Sequence, residues 1–337
     1  MKVTITDVAR VANVSKASVS AVLNNKPTVS PRTRDKILGV IKKLNYRPNA
    51  VARSLSSRKT KCMGLVIKEI DNPYFARVMK GVFDVCCELG YTVLLGSSEL
   101  SPAQELENIE TLASQRVDGL IISPLQGADS DFTYLSDLIH DRYPLVMLGA
   151  VKNYTTSVVD IDNISAAYQA VSYLINLGHT EIAYFSGPTY SAHSFDRLQG
   201  YQQALIDHKL PIRKDFIINV GSYIENGYQS GKKFYSRQSK RPSAVFCYND
   251  LVAIGLINAL IESNINVPDQ VSVIGFDDID ICGSIKIPLT TIHVPAYEIG
   301  RKASELLIRQ IQNSDQLLNE KIILKTRLVQ RNSCTKR

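Results

Sequence analysis

The residues with the clearest binding chemistry are polar and aromatic side chains that follow short apolar runs of the chain. The stretch DNPYF, residues 71–75, comes soon after the run CMGLVI, and Asn249 and Asp277 follow the runs SAVFCY and VSVIGF. If these runs are parallel strands, such residues lie at the carboxyl ends, where open α/β sheets bind ligands. Aromatic rings can cover a ligand ring while groups such as the Arg197 guanidinium bind its rim. The pattern favours a polyhydroxylated or heterocyclic ligand, although Asp and Asn there also cap helices, the role we expect for Asp250 and Asp278.

Catalytic motifs are missing from the sequence. There is no G-x-S-x-G, no P-loop and no G-x-G-x-x-G after an apolar run. The five histidines are scattered without metal-ligand spacing, and we expect a structural hydrogen bond for His179, just before the run EIAYFS. The six cysteines lie mostly in apolar runs, which favours free buried thiols over disulfides or zinc ligands. We therefore predict a binding protein without metal or cofactor, and not an enzyme.

The elements that position the ligand residues are nine apolar runs alternating with amphipathic segments. This alternation predicts α/β architecture with parallel strands covered by helices. The first four runs span residues 62–150 and the next five, from SVVDI onward, span about 157–280, which predicts two doubly wound lobes. TTIHVP near residue 290 is expected to return to the first lobe. The predicted lobes are residues 62–155 plus 290–320, and residues 156–289 plus the C-terminal segment.

A different pattern occupies the first sixty residues. Thr4 and Asp7 have the spacing of a capping box, with Val8, Val11 and Ala12 on one apolar face of a first helix. Asn13 suits a tight turn, and Ser15 can cap a second helix that directs Val19, Val22 and Leu23 inward. Two helices joined by so short a turn predict a helix-turn-helix. A third helix is expected from Ser30-Pro31, burying Ile37, Val40, Ile41 and Leu44.

The charge of the chain is concentrated in this head. Residues 1–61 hold 14 Lys and Arg against two acids, a net +12, whereas the remaining residues carry −5. The third helix presents five cations that could lie along phosphates or face solvent: Arg32, Arg34, Lys36, Lys42 and Lys43. So strong an asymmetry favours nucleic acid as partner, ahead of a membrane surface. Because the sequence shows no signal peptide or membrane span, we expect a cytoplasmic protein.

Between head and body lies RPNAVARSLSS, residues 47–57, a helix-forming core of about seven residues. Isolated helices shorter than about 12 residues are marginal in water. The segment therefore needs a partner to become ordered.

The stretches TITDVARVANVSKASVS and YRPNAVARSL resemble the LacI/GalR (lactose-repressor/galactose-repressor) family of bacterial transcription regulators, and the resemblance extends over nearly the whole chain. It implies that the second helix enters the major groove and that residues 47–61 form a hinge helix when two subunits bind an operator. Residues 1–46 would be the DNA-binding domain. Residues 62–337 would be a two-lobed effector-binding and dimerisation domain similar to periplasmic sugar-binding proteins.

The resemblance also assigns DNA contacts. Ala21 departs from the family, because many relatives carry a long polar side chain there, so the base preference at that position is open. The implied major-groove residues are Lys16, Ala17, Ser18 and Ala21. The implied phosphate-backbone residues are Thr4, Ser15, Ser20, Asn24, Thr33, Tyr46 and Asn49. Ala52 and Leu55 match the minor-groove contacts, with Leu55 as an apolar wedge that kinks the duplex.

In the body, the resemblance implies effector contacts from Tyr74, Phe75, Ser191, Arg197, Asn249 and Asp277, and we add Tyr223 as a ring that can stack on a sugar in place of a tryptophan. The Ser191 hydroxyl favours a sugar or sugar phosphate over a purine. Leu148 stands where an acid or amide is common, and the chain has no tryptophan to stack on a sugar ring. Two alternatives are a regulator controlled by a phosphoprotein corepressor, and a sugar-binding protein that does not bind DNA. The second would need a signal peptide and no basic head.

The C-terminus lacks a leucine heptad, so we expect a homodimer rather than a tetramer. Its interface should include the helix holding Met79, Val82, Phe83 and Cys86, although these could also be core residues. The resulting prediction is a dimeric repressor on a pseudo-palindromic operator, controlled by a sugar-like ligand in the cleft.

Overall fold

The computed structural model describes residues 3–23, 26–46, 59–126, 132–237, 241–313 and 319–337. The chain forms two compact units, Met1–Thr60 and Lys61–Arg337. The expected hinge segment, with Asn49, Ala52 and Leu55, lies outside the described residues, as does Asn24.

In the described residues, no helix is both long enough and apolar enough to cross a membrane.

In its described residues, the first unit contains three helices, α1 (Ile5–Ala12), α2 (Lys16–Leu23) and α3 (Pro31–Lys43). The capping box of Thr4 and Asp7 begins α1, and Asn13 ends it in the left-handed conformation, with φ of 50°. The Ser15 hydroxyl accepts a hydrogen bond from the Ser18 amide, 3.0 Å away, at the start of α2. The predicted helix-turn-helix is confirmed.

The core of this unit differs from the prediction at one position. Val8, Ala9 and Ala12 are buried, whereas Val11 is 48% exposed. Residues 8, 9 and 12 share one face of a 3.6-residue helix, and residue 11 lies at its edge. The small Ala9 is therefore the buried residue where α1 meets the other helices.

The second unit contains two six-stranded sheets. The strands of this unit are β1 (Cys62–Ile67), β2 (Thr92–Ser97), β3 (Leu120–Ile122), β4 (Leu145–Met147), β5 (Ser157–Ile161), β6 (Ile182–Ser186), β7 (Ile217–Asn219), β8 (Ala244–Cys247), β9 (Ser272–Asp277), β10 (Thr290–His293), β11 (Lys321–Leu324) and β12 (Arg327–Val329). The first sheet has the strand order β11-β5-β4-β3-β1-β2, and the second sheet has the order β12-β10-β9-β8-β6-β7. All the pairings are parallel except that of β10 with β12.

Helices cover both sheets: α4 (Pro73–Glu88), α5 (Pro102–Ser114), α6 (Thr133–His140), α7 (Asn163–Asn176), α8 (Ala192–Asp207), α9 (Ile224–Arg237), α10 (Asp250–Glu262) and α11 (Ala296–Gln312). Helices α4 and α11 cross closely because Gly81 and Gly300 face the opposite backbone. A Cβ atom at Gly81 would lie 2.1 Å from the Tyr297 carbonyl oxygen, and one at Gly300 would lie 2.0 Å from that of Val78.

Three strands lie in the lobe opposite to the one predicted. SVVDI forms β5 of the first sheet, and TTIHVP supplies β10 of the second sheet, pairing with β9. Strand β11 of the C-terminal segment pairs with β5 in the first sheet, not in the second. The predicted lobe ranges are wrong at these points, because the order of runs along a chain does not reveal which sheet each strand joins. Helix α11, which follows β10, does pack on α4 and the first sheet, as expected for residues 296–312.

Within the described ranges, the chain passes between the sheets three times: from β5 to β6, from β10 to β11, and from β11 to β12. These passages join the two lobes, each lobe being one sheet with its helices. The carboxyl ends of β1 and β9, from opposite sheets, contribute residues to a shared cavity.

All six cysteines are free thiols. Three are buried, and burial raises the pKa of the Cys86 thiol to about 12. Cys87 is exposed on α4, contrary to the expectation of burial.

Candidate ligand cleft and nucleic-acid interface

A cavity of about 60 Å³ lies between the carboxyl ends of the two sheets. Ligand pockets commonly measure about 300–1,000 Å³, so the cleft is closed in this structure and a sugar needs the lobes to separate. Six of the seven predicted effector residues line it: Tyr74, Phe75, Ser191, Arg197, Asn249 and Asp277. The seventh, Tyr223, is not a lining residue, whereas its neighbour Ser222 is.

Arg197 is held rigidly in the second lobe. Its Nε donates to Asn163 Oδ1 at 3.0 Å and its Nη1 donates to the Tyr248 carbonyl at 2.5 Å. The guanidinium lies 3.6 Å from the centroid of the Phe276 ring, a cation–π contact. Nε and Nη1 thus have hydrogen-bond partners, and the Phe276 ring covers one face of the guanidinium. The third nitrogen, Nη2, lies 3.8 Å from Asp277 Oδ1.

Asp277 ends β9 in a strained conformation. Its φ is 113° and that of the next residue, Asp278, is 59°, both unfavourable for a residue with a side chain. Burial raises the pKa of the Asp277 carboxyl, although the Arg197 charge acts in the opposite direction. Such local strain is common at binding sites, where surrounding contacts hold the backbone.

The helix-capping roles expected of Asp250 and Asp278 are wrong. Asn249 caps α10, accepting from the Val252 amide, and its Nδ2 donates to the Ser222 carbonyl. The Asp250 carboxylate accepts instead from the Ile279 amide and the Thr291 hydroxyl. The Asp278 carboxylate contacts Nδ1 of His293 at 2.9 Å and forms a salt bridge with Nη2 of Arg331 at 2.7 Å.

Several polar residues of the cleft were missed by sequence reasoning. Lys68 and Glu69 line the cavity directly after β1, the kind of strand-end position that the apolar runs indicate, although the stretch DNPYF begins only at residue 71. Tyr248 follows β8 in the same way, and its hydroxyl lies 3.1 Å from Ser191 Oγ. Asp160 lies inside the run SVVDI and His193 on α8, where no sequence signal marked them.

Among the described residues, polar contacts that join the lobes around this cavity include the following. The Ser222 hydroxyl donates to Glu69 at 2.9 Å, and the Gln126 amide donates to the Tyr190 carbonyl at 2.8 Å. The third contact, between Asp160 Oδ2 and His193 Nε2, is 3.3 Å long. Separation of the lobes breaks these contacts.

The polar face of α2 in the first unit carries the predicted base readers. Lys16 and Ala17 are exposed, while Ser18 and Ala21 are partly buried. Among the predicted backbone residues, Thr4 and Ser15 are exposed at helix starts, and Ser20, Thr33 and Tyr46 are partly buried. Of the third-helix cations, Arg34 donates to the Lys26 carbonyl at 2.6 Å and so supports the loop after α2.

The expected structural role of His179 is confirmed. The buried imidazole contacts Ser243 and Ser272 hydroxyls and the Thr335 carbonyl. It thereby fastens the C-terminal segment to the second lobe. Across the described part of the chain, no group of three or more His, Cys, Asp or Glu is placed to hold a metal ion.

A helix-turn-helix unit and a two-lobed body with a polar cleft together define a ligand-controlled transcription regulator. The description "Bacterial regulatory proteins, lacI family" matches residues 4–49, and "Periplasmic binding protein-like domain" matches residues 171–334.

Relatives and solved structures are similar to this chain over almost its full length. The HTH-type transcriptional repressor PurR of Vibrio cholerae is 35% identical over 317 residues, which are 93% of this chain and 92% of that protein. The lac repressor dimer bound to operator and the anti-inducer ONPF matches with a TM-score of 0.89 and 26% identity, covering 99% of this chain and 100% of that one. The transcriptional regulator CelR–cellobiose complex matches with a TM-score of 0.72 and 29% identity, covering 98% and 100%.

The chain belongs to the lacI family of bacterial regulatory proteins. It is a DNA-binding transcriptional repressor controlled by a small ligand.

Proposed function

We propose that this repressor binds a pseudo-palindromic operator as a homodimer in the cytoplasm, and that a sugar-like molecule in the interlobe cleft controls its affinity for DNA. It performs no catalysis. The observation that carries the ligand assignment is the lining of the cleft, where hydroxyl, amide, carboxylate and guanidinium groups of both lobes surround one cavity together with the rings of Tyr74, Phe75, Tyr190 and Tyr248. A polyhydroxylated molecule supplies both donors and acceptors to such a lining.

The proposed effector residues divide by role. Tyr74 and Phe75, whose rings meet edge to face at 5.1 Å, pack against the ligand ring. Arg197 and Asp277 bind its hydroxyls, and Ser191 and Asn249 add hydrogen bonds from the second lobe. Tyr223 contributes from the rim of the cleft when the lobes separate. Burial raises the pKa of the Tyr223 hydroxyl, and the charge of Glu69, which lines the cavity, raises it further, so Tyr223 lies near the cavity.

On DNA, the proposal places α2 of each subunit in a major groove. Lys16, Ala17, Ser18 and Ala21 face the bases, because they form the accessible side of that helix. The backbone is held by Thr4, Ser15, Ser20, Asn24, Thr33, Tyr46 and Asn49. Ala52 and Leu55 from the two hinge segments enter the minor groove at the centre of the site.

The coupling between the two sites is a two-state equilibrium. A ligand that fits only one lobe arrangement shifts the population toward it, by no more than its difference in affinity for the two states. The lobe arrangement sets the spacing of the paired hinge segments. The ligand thereby changes the cost of ordering them on DNA.

The test begins with selection of retained sequences from a random-duplex pool at physiological salt, followed by sequencing. We expect a palindrome with a kinkable central step, and this duplex then serves as a probe for titrations with neutral sugars and sugar phosphates. An enriched site without two-fold symmetry would contradict the dimeric hinge mechanism. Operator binding that no small molecule alters, but that a phosphoprotein enhances, would replace the sugar with a corepressor.

A further inference from the structure

Lys68 is the buried cation of the cleft that lacks a hydrogen-bond partner. It directly follows β1 of the first sheet, its side chain lines the cavity, and only 9% of its surface is exposed. No hydrogen bond joins its ammonium group to any residue in the described ranges. An ammonium group has three donors, and burying them without acceptors costs free energy.

The acids around Lys68 balance its charge but use their oxygens elsewhere. Glu69 accepts from Asn72 and Ser222, and Glu105 accepts from the Leu125 amide. In the same way, Asp160 accepts from the Ile161 amide and contacts His193. Burial lowers the pKa of the Lys68 ammonium, while the charges of Glu105, Asp160 and Glu69 oppose that shift.

A matching acceptor lies on the opposite lobe. The Asp277 carboxylate also lines the cavity, and its nearest described cation, Arg197, is 3.8 Å away, beyond hydrogen-bonding distance. The closed cleft thus leaves one donor on the first lobe and one acceptor on the second. A molecule that bridges them satisfies both and favours the closed arrangement.

We propose that Lys68 determines ligand specificity by donating to an uncharged oxygen, so that the cleft selects a neutral polyol over its phosphorylated form. This inference rests on the proposed ligand control of DNA binding. The reason is charge: the lysine is already surrounded by three carboxyl groups, and a phosphate dianion placed against it meets their repulsion in a buried site where screening is weak. A hydroxyl oxygen accepts from the ammonium without adding charge.

The first arm of the test measures ligand selectivity with Lys68→Met, which keeps an unbranched side chain, and Lys152→Met, at an exposed site, as the matched control. The probes are ribose, glucose and cellobiose, with ribose 5-phosphate and glucose 6-phosphate as charged counterparts, in calorimetry and operator-binding titrations. We expect a neutral probe to bind at least about tenfold more tightly than its phosphate. Lys68→Met should weaken that binding by about 10- to 100-fold, as for loss of a charged hydrogen bond. Tighter or equal binding of a sugar phosphate overturns the proposal.

The second arm measures thermal unfolding. Removing the ammonium leaves Glu69, Glu105 and Asp160 without the charge that balances them, so Lys68→Met should lower the unfolding temperature of the free protein, whereas Lys152→Met should leave it unchanged. A bound neutral probe should raise the unfolding temperature of wild type more than that of Lys68→Met, and equal rises would overturn the role of Lys68 as a donor to the ligand.

The two proposals fail in different ways. A panel in which no probe alters operator binding overturns ligand control itself. A responsive panel in which Lys68→Met keeps wild-type affinity and selectivity overturns only the role of Lys68.

Discussion

Asp160 on β5 and His193 on α8 face each other across the closed cleft, with Oδ2 and Nε2 3.3 Å apart. The two residues belong to different lobes, and both side chains are largely buried. Their contact links the lobes on the side of the cavity where the chain passes from β5 to α7. It is therefore placed to favour the closed arrangement.

Replacing Asp160 with Asn should weaken this contact in a pH-dependent way. Burial alone would raise the pKa of Asp160, but the interaction with His193, the Ile161 amide and the Lys68 charge together hold the pKa below its ordinary value. A carboxyl with a lowered folded-state pKa stabilises the fold above its unfolded pKa of about 3.9, and that contribution is lost as pH falls through the folded value. We expect Asp160→Asn to lower the free energy of unfolding by about 1 kcal/mol at pH 6.

Denaturant titrations at a series of pH values measure the effect. The difference between wild type and Asp160→Asn should shrink as the pH is lowered below about 4. A difference that is constant from pH 3 to pH 7 would contradict an electrostatic origin.

Asp278→Asn tests the support of the strained turn that ends β9. The Asp278 carboxylate accepts from Arg331 and contacts His293, and it belongs to a turn in which Asp277 and Asp278 both have positive φ. Removing a largely buried carboxylate leaves Arg331 with the Leu289 carbonyl but without its acidic partner, so we expect a loss of about 2 kcal/mol in the free energy of unfolding of the second unit. Because the turn also places Asp277, ligand affinity should fall as well.

The control is Asp280→Asn, three residues from Asp277. Asp280 lies 3.9 Å from Arg77, and both side chains are exposed. Such a pair should contribute less than about 0.5 kcal/mol. Equal losses for the two variants would show that the turn does not depend on Asp278.

The sequence predicts most of the cleft residues, because their positions depend on the strand or helix that carries them. It predicts sheet membership poorly, because this depends on pairing between strands that are far apart in the chain. Tyr74, Phe75, Arg197, Asn249 and Asp277 all reach the cavity, because each lies where a strand or its following helix meets the carboxyl edge of a sheet. The predicted sheet membership is wrong for β5, β10 and β11, since a run such as SVVDI has the same composition in either lobe and its partners can lie far away in the chain.

The contacts that decide the ligand chemistry are also long-range. Nothing near Lys68 in the sequence indicates that its ammonium lacks an acceptor, because Glu105 and Asp160 approach it from other elements of the first lobe. The link between Glu69 and Ser222 spans 153 residues. Helix caps and the short turn at Asn13, in contrast, depend on neighbours three residues away and could be predicted.

Asp277→Ala should remove the response to ligand and leave DNA affinity intact. The carboxylate lines the cavity of the second unit, whereas the predicted base readers belong to the first unit, so its loss removes an acceptor for ligand hydroxyls without changing a DNA-binding residue. Operator titrations with and without the neutral sugar identified by screening provide the measurement. A wild-type response from the variant would place the effector site elsewhere.

Leu55→Ala tests the proposed hinge. If two Leu55 side chains unstack a central base step, specific binding depends on them because only the operator offers a kinkable step at the right spacing. Non-specific binding depends mainly on the cations of the head, which the substitution leaves unchanged. We therefore expect operator affinity to fall at least about tenfold, because the wedge offsets a few kcal/mol of base unstacking. Affinity for random duplex should change less than about twofold.

Salt titrations separate the two contributions. The slope of log affinity against log salt concentration should be the same for Leu55→Ala and wild type, because no phosphate contact is lost. Lys16→Ala serves as the contrasting variant, since it removes a cation from the exposed start of α2 and should affect binding to operator at the major groove without changing the central bend. Equal losses of operator and random-duplex affinity for Leu55→Ala would reject the wedge, and an unaltered bend angle of the bound operator would do the same.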